Sequence, residues 1–341
     1  MKTQPSIDNQ QNVSVIGSGV SGLTVADYLS DAGFSVHLIS SSEGPDSSCC
    51  SWWAGGMLAL HCELETAEPI IGELGKESML YWRDNAPDFQ MKGTLVLATR
   101  RDQPLLHDFK RNTEQWEEVS GPRIHELEPD IHTSFQSALL FKEEAHITPR
   151  LALAQLETKL RQKQVTFQFN TTLADAQIED MSRTSWVIDC RGMGAKSSFK
   201  NLRGVKGEML YVQSDDITIS RPVRLLHPRI PIYIVPRGNG LYMLGASMIE
   251  NEQKQHATVR SIMELLSAAY AVNPAFAEAQ ILEIGVDLRP ALPDNVPAID
   301  IEGKRVSVNG MYRHGYLAAP AIARQVKDLL LERTSSQELT P

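Results

Sequence analysis

The chain is short of most features that would classify it quickly. Cysteine is scarce, with four in 341 residues at positions 49, 50, 62 and 190. No spacing among them matches a zinc site or a disulfide framework. Reduced structural thiols are the expectation, and no metal is called for. Positive charge is in deficit, with 33 Lys and Arg against 42 Asp and Glu, a formal net charge of −9. That balance argues against general binding of nucleic acid or an anionic membrane, although a local basic spot can still take a small anion. Long apolar runs are absent: no stretch of about 20 residues could span a bilayer. Met1 to Asn12 are polar and hold no signal-peptide core. A cytoplasmic protein is expected. What is present is ordinary globular composition, 42% apolar and 22% charged. At roughly 150 residues per domain, the length suggests about two domains.

The informative feature comes early. Val13-Ser14-Val15-Ile16 reads as a buried strand and runs into Gly17-Ser18-Gly19-Val20-Ser21-Gly22. A helical pattern follows, with Val20, Leu23, Ala26 and Leu29 on one face and Gly33 as its stop. A second strand, Val36 to Ser40, comes next. This is the strand–turn–helix–strand context in which G-x-G-x-x-G binds a dinucleotide. Gly17 permits the sharp turn, Gly19 clears the pyrophosphate's approach, and Gly22 lets the helix pack on the strand. The helix N-terminus offers N–H groups and a positive dipole end. One part departs from the pattern. The second strand should end in Asp or Glu to hold a ribose hydroxyl, and Ser40 stands there instead. Glu43 is a possible substitute, and no nearby Arg favours a 2′-phosphate. Gly192-Met193-Gly194 follows a strand but lacks the third glycine, so one bound dinucleotide is expected rather than two.

Other segments carry further signals. Ser51 to Ala59 is a small-residue turn with bulky flanks, and its glycines could admit a flat ring system. Trp186 to Gly192 is a strand ending in a small-residue turn. After Val306 to Tyr316, a helix is expected from near Pro320, with Ile322, Val326, Leu329 and Leu330 as its buried face.

Taken together these segments resemble the flavin-dependent amine oxidases of the D-amino acid oxidase superfamily, and more narrowly the glycine oxidases of thiamine biosynthesis. The resembling stretches are VSVIGSGVSGLTVADYL from Val13, AGGMLALHCE from Ala54, EAHITPR from Glu144, VIDCRGMGA from Val187 and LRGVKGEML from Leu202. They continue with RPVRLLHPRIPIYIVPR from Arg221, LGASMIE from Leu244, DLRPALPDNVP from Asp287 and GMYRHGYLAAPAIARQV from Gly310. The resemblance implies an α/β fold, with a Rossmann-like FAD-binding domain interleaved with a mixed, mostly antiparallel substrate domain. The FAD-binding segments would be 1–80, 140–204 and 290–335, and the substrate domain 81–139 and 205–289. Expected strands of the latter include Thr94–Ala98, Met209–Val212, Tyr233–Pro236 and Tyr242–Ala246. A helix with Leu153, Leu156 and Leu160 buried is expected over Leu151–Leu160. Residues 1–11 and 334–341 look frayed.

By the same resemblance Gly17, Gly19 and Gly22 face the FAD pyrophosphate, with Ser40 and Gly192 in the cofactor site. Ser51, Gly55, Gly56 and Met57 would lie along the ribityl chain and flavin. Arg313, His314, Gly315, Tyr316 and Leu317 would reach the pyrimidine end, with the helix near Pro320 aimed at it. Arg289, Arg313 and Tyr233 are the substrate candidates. A guanidinium grips a carboxylate with two parallel hydrogen bonds, and Arg289 and Arg313 would form one cationic site. The resemblance implies no catalytic side-chain base: the substrate's own amine supplies the electron push and flavin N5 accepts the hydride. His314 reads as a packed structural residue, and Cys190 as a buried thiol near the adenosine. The implied activity is oxidation of glycine to the imine, with oxygen reduced to hydrogen peroxide. A thiazole synthase and further copies of the chain are the implied protein partners. The rival readings are sarcosine or small D-amino acids as substrate, an acceptor other than oxygen, and a flavin-fold partner protein that no longer catalyses.

Overall fold

A computed structural model describes residues 11–229 and 231–338. Strand β1 (Asn12–Ile16) buries Val13, Val15 and Ile16. It pairs in parallel with β2 (Ser35–Ile39), Val13 opposite Val36 and Ile16 opposite Ile39. Helix α1 (Val20–Asp31) connects them, and its Leu23, Ala26 and Leu29 are fully buried. This is a crossover between adjacent parallel strands, which a helix bridges.

The two strands lie inside a six-stranded sheet. Its spatial order is Ala298–Glu302, Arg305–Asn309, Trp186–Asp189, β1, β2, Thr166–Gln168. All pairs are parallel except the first, an antiparallel hairpin. The second large sheet has eight strands, in the order Gln280–Ala291, Arg203–Gln213, Leu241–Gly245, Ile232–Pro236, Val223–Leu226, Thr94–Ala98, Ser137–Phe141, Glu117–Ser120. Only Val223–Leu226 with Thr94–Ala98 is parallel. The chain therefore leaves the six-stranded sheet after β2, returns at Thr166, leaves again after Asp189 and returns at Ala298. Each sheet has its own apolar core, the first around Leu23, Leu38 and Ile188, the second around Leu95, Leu210 and Ile234. A short ribbon, Met57–Leu58 against Ala145–His146, forms a third, two-stranded sheet.

Two helix boundaries differ from the sequence reading. The helix expected from Leu151 starts at Pro149, which occupies its first turn, and runs to Gln162 with Leu153, Leu156 and Leu160 fully buried. The C-terminal helix begins at Gly315 rather than near Pro320, so Pro320 lies inside it. A proline within a helix removes the N–H that would bond the carbonyl four residues earlier. Here that carbonyl belongs to Tyr316, and the Trp82 Nε1–H donates to it at 2.6 Å. Trp82 is fully buried on the helix Pro69–Asn85, which packs against the C-terminal helix. A tertiary donor thus replaces the lost local one. The helix also continues through Glu338, so 334–338 are not frayed; Thr334 is buried and its hydroxyl donates to the Leu331 carbonyl at 3.1 Å. The remaining stretches expected to fray, 1–10 and 339–341, lie outside the described residues. Among the described residues no helix is long and apolar enough to cross a membrane.

Candidate active site

The C-terminal ends of β1, β2 and Trp186–Asp189 open on a cavity of about 480 Å³. Two helices begin at its wall. Residues Gly19, Val20 and Ser21 at the start of α1 line it, as do Gly315, Tyr316 and Leu317 at the start of the C-terminal helix. Neither first turn carries an acidic residue. The two starts nearly touch: a Cβ on Gly315 would sit 3.5 Å from Val20 Cγ1. Two positive dipole ends converging on one cleft suit an anionic or electron-rich ligand.

The glycines of the first turn divide their work. Gly17 has φ +111°, and a Cβ there would lie 2.6 Å from the Cys190 carbonyl oxygen. Gly19 borders the cavity beside Ser51, whose hydroxyl accepts the Val20 N–H at 3.0 Å. Gly22, unlike Gly17 and Gly19, does not line the cavity. Its missing side chain instead makes room for the Gly17 carbonyl, with Cys190 Cβ next nearest. α1 can therefore lie directly on the turn that feeds it.

Ser40 is buried at the end of β2 and lines the cavity. Its hydroxyl bonds Ser18 Oγ at 2.7 Å and Ser42 Oγ at 3.1 Å. Ser18 and Ser42 also donate to the Gly44 carbonyl, at 3.2 and 2.6 Å. A neutral hydroxyl cluster thus stands where the carboxylate was expected. Hydroxyls both donate and accept, so the cluster can meet a ribose diol without charge. Glu43 is exposed and off the cavity wall.

Cys50 and Ser51, with Ala54, Gly55 and Gly56 after them, line the cavity beside the first turn, and side chains far away in sequence hold this loop. Arg150 lies over the rings of Trp52 (4.7 Å), Trp53 (5.1 Å) and Tyr211 (4.2 Å) and makes a bidentate pair with Glu283 at 2.8 and 2.9 Å. Arg237 donates to the Gly55 carbonyl at 2.7 Å and the Ile147 carbonyl at 3.0 Å. Tyr316 donates its hydroxyl to the Ser51 carbonyl at 3.1 Å. Guanidinium planes and one phenol thus add to the loop's own backbone bonds, such as the Trp52 N–H on the Cys49 carbonyl at 3.1 Å.

A second, smaller cavity of about 120 Å³ adjoins the first. Cys50, Ala54, Gly55, Met57, Glu63, Asp287 and Arg313 line both. The structure brings the three substrate candidates together here: Arg289, Tyr233 and Arg313 all line this cavity. They are not equally available. Arg313 Nε lies 2.7 Å from Glu63 Oε2 and its Nη2 donates to Thr66 Oγ1 at 2.7 Å. Tyr233 donates its hydroxyl to Glu63 Oε1 at 3.1 Å. Arg289 donates to the Ser247 carbonyl at 3.0 Å and pairs with no carboxylate among the described residues. The single cationic site read from sequence is thus centred on Arg289, with Arg313 already neutralised.

Glu63 was not singled out in the sequence, yet it is the hub. Burial opposes its ionisation, but Arg313, His314, Arg224 and the Tyr233 hydroxyl outweigh burial and take it down to about 2. His314 Nδ1 lies 3.4 Å from Glu63 Oε2. Burial lowers His314 to about 4, so the imidazole is neutral at neutral pH and the two are not an ion pair there. His314 is itself buried, at the start of the C-terminal helix, where its carbonyl accepts the Ala318 N–H at 2.8 Å. Asp287 is the other carboxylate on the wall. Its Oδ1 meets Lys254 Nζ at 2.9 Å and the Leu288 N–H at 2.7 Å, while its buried Oδ2 has no hydrogen-bond partner. All four cysteines are free thiols; burial raises Cys49 to about 11 and Cys50 to about 12, so both stay protonated at neutral pH.

Glu144 supports the segment that carries Glu63. Its Oε1 accepts the His61 and Cys62 N–H groups at 2.9 and 2.7 Å. Burial raises its carboxyl from 4.5 to about 7. A carboxyl raised in the folded state stabilises the fold below its unfolded value and loses that contribution as pH rises through the folded value. Between about pH 4.5 and 7 the wild type should therefore lose up to about 3 kcal/mol that Glu144→Gln keeps, since the amide cannot ionise. Urea titrations of both proteins at several pH values check this. A stability difference that is flat with pH would contradict it.

The donor set fits a flavin dinucleotide. Two helix N-termini, a hydroxyl cluster and a glycine-lined wall share one cavity, and both carboxylates on its wall are already paired with cations. Comparison with known proteins points the same way. The family model for FAD dependent oxidoreductases (DAO) matches residues 12–329. A thiamine biosynthesis oxidoreductase of Rhizobium etli, ThiO, is 44% identical over 327 residues, covering 96% of this chain and 98% of that one. Glycine oxidase of Bacillus subtilis is 23% identical over 356 residues, covering 95% and 94%. The crystal structure of glycine oxidase from Bacillus cereus superposes with a TM-score of 0.81 at 22% identity, over 95% of this chain and 98% of that chain, a likeness of fold.

Proposed function

The chain belongs to the FAD-dependent oxidoreductase family, with FAD as its cofactor, and from that premise we propose that it oxidises glycine to the imine and passes the electrons to oxygen, forming hydrogen peroxide. The observation that carries the reading is one unpaired guanidinium, Arg289, in a small cavity that adjoins the cofactor cavity. FAD, when bound, supplies the acceptor for the hydride lost from the substrate Cα. The chain's part is to hold that carbon in place. Arg289 takes the substrate carboxylate with a forked pair of hydrogen bonds. The Tyr233 hydroxyl, its proton given to Glu63, keeps lone pairs that can accept a substrate N–H, and Asp287 Oδ2 is a second free acceptor. The N-termini of α1 and of the C-terminal helix favour negative charge on the cofactor. The name of the Rhizobium etli relative supports a place in thiamine biosynthesis, where the imine would be captured for thiazole formation; uncaptured, it hydrolyses to glyoxylate and ammonia.

A second reading has its own support. Met57, Met209, Met243 and Met248 line the small cavity and could cover an N-methyl group, so sarcosine is a competing substrate. Anaerobic addition of glycine to the purified flavoprotein should bleach the visible flavin band, and aeration should restore it with one peroxide per turnover. A bound flavin that glycine leaves oxidised would overturn the glycine assignment. The ranking of kcat/KM across glycine, sarcosine and small D-amino acids would then name the preferred amine.

A further inference from the structure

The small cavity contains three guanidinium groups, but their charges are not equally free. Arg224 Nη2 lies 2.6 Å from Glu65 Oε2, and Arg313 Nε lies 2.7 Å from Glu63 Oε2. Arg289 has the Ser247 carbonyl and no carboxylate. Glu63 cannot readily turn aside. Its side chain is only 9% exposed, Tyr233 holds its other oxygen, and a neutral imidazole closes one flank. The backbone that carries it is tied at His61 and Cys62 to Glu144.

We propose that Glu63 is a specificity-determining residue: by cancelling Arg313 it leaves one guanidinium for substrate and restricts the site to amines that carry a single carboxylate. The proposal rests on the amino acid oxidation reading and adds a charge limit to it. A substrate with a second carboxylate would bring that group into the enclosure already occupied by the Glu63 charge, where like charges are poorly screened. Without the Glu63 charge, Arg313 becomes a second unpaired cation beside the first. The site then matches a dicarboxylate, and a repulsive element that rejects the wrong ligand has been removed.

The test uses the holoenzyme and two non-reacting probes, acetate and malonate, with binding read from the perturbation of the flavin spectrum and by calorimetry. In the wild type, malonate should bind at least about 10-fold more weakly than acetate. In Glu63→Gln, which keeps an oxygen for Tyr233 and loses the charge, the ratio of the two Kd values should move at least about 10-fold toward malonate. A smaller movement in the flavin-loaded variant overturns the proposal. Should the variant fail to fold or to retain flavin, the wild type alone decides, because malonate binding as tightly as acetate is incompatible with a single uncancelled cation. Binding of neither anion overturns it together with the carboxylate grip at Arg289. Failure of glycine to bleach the flavin would refute the glycine assignment and leave the ratio of the two anions readable, so the two failures are distinct.

Discussion

Replacing Arg289 by alanine should lower kcat/KM for the amino acid substrate by about 10²- to 10³-fold, almost all of it through KM. The size follows from the interaction lost. Truncating one member of a desolvated, hydrogen-bonded charge pair costs about 2–5 kcal/mol, and each 1.4 kcal/mol is tenfold. The kinetic partition follows from timing: the carboxylate is held as firmly before hydride loss as during it, so its loss removes uniform binding. Burial already pulls the Arg289 guanidinium below its usual value, as expected of a cation with no carboxylate beside it. The neighbouring strand is built to admit it. A Cβ on Gly207 would lie 2.5 Å from Arg289 Nη2, so Gly207→Val should act in the same direction by displacing the guanidinium. Arg289→Lys should recover little, because a point charge on a flexible stem cannot reproduce the fork. A KM unchanged in Arg289→Ala, measured with full flavin content, would remove Arg289 from the substrate site.

Arg289 was legible because its surroundings in sequence are distinctive: a strand-like run, then Leu288-Arg289-Pro290 within a family-ordered set of segments. The first turn was legible for a similar reason, since strand, glycines and helix are contiguous and each glycine has a steric cause. Glu63 was not. It sits in Cys62-Glu63-Leu64-Glu65 with no periodic signal, and its partners lie at 224, 233, 313 and 314, which only the packing of the two sheets brings near it. Arg150 and Arg237 lay inside resembling stretches but carried no assigned role. Their work on the Cys50–Gly56 loop is through ring faces and backbone carbonyls, which leave no spacing in the sequence. The start of the C-terminal helix was misplaced for the opposite reason. Pro320 is a strong local sign of a first turn, and it was overridden by one distant donor, Trp82. Local rules located the elements here, while long-range donors and charges set the boundaries and the hub of the site.

The same distinction between local strain and tertiary fit separates two glycines at the ends of α1. Gly33→Ala puts a Cβ on a residue at φ +89° with nothing within 4 Å, so the cost is backbone strain alone, about 1–2 kcal/mol. Gly22→Ala has no such φ penalty. Its Cβ would enter the Gly17 carbonyl, and the peptide just before that carbonyl is held by the Gly17 N–H on the Ile39 carbonyl and by the Ile16 carbonyl accepting the Cys190 N–H, both at 2.8 Å. A side chain could rotate away; a shift of this carbonyl pulls on the neighbouring Ile16–Gly17 peptide, which joins β1 to β2 and to the end of Trp186–Asp189. The remaining escape is for α1 to lift off the turn, which swings its N-terminus away from the cofactor cavity and opens the contact with Val20 and Gly315. Gly22→Ala should therefore cost about 3 kcal/mol or more, at the upper end of what overpacking costs. It should also purify with little or no FAD, although residue 22 does not border the cavity. Gly33→Ala should keep a full complement of flavin. The flavin-to-protein absorbance ratio and the urea midpoint of each variant check both statements. Near-wild-type flavin content in Gly22→Ala would mean that α1 can retreat without moving its N-terminal turn, and that the close packing of helix on turn does not set the cofactor site.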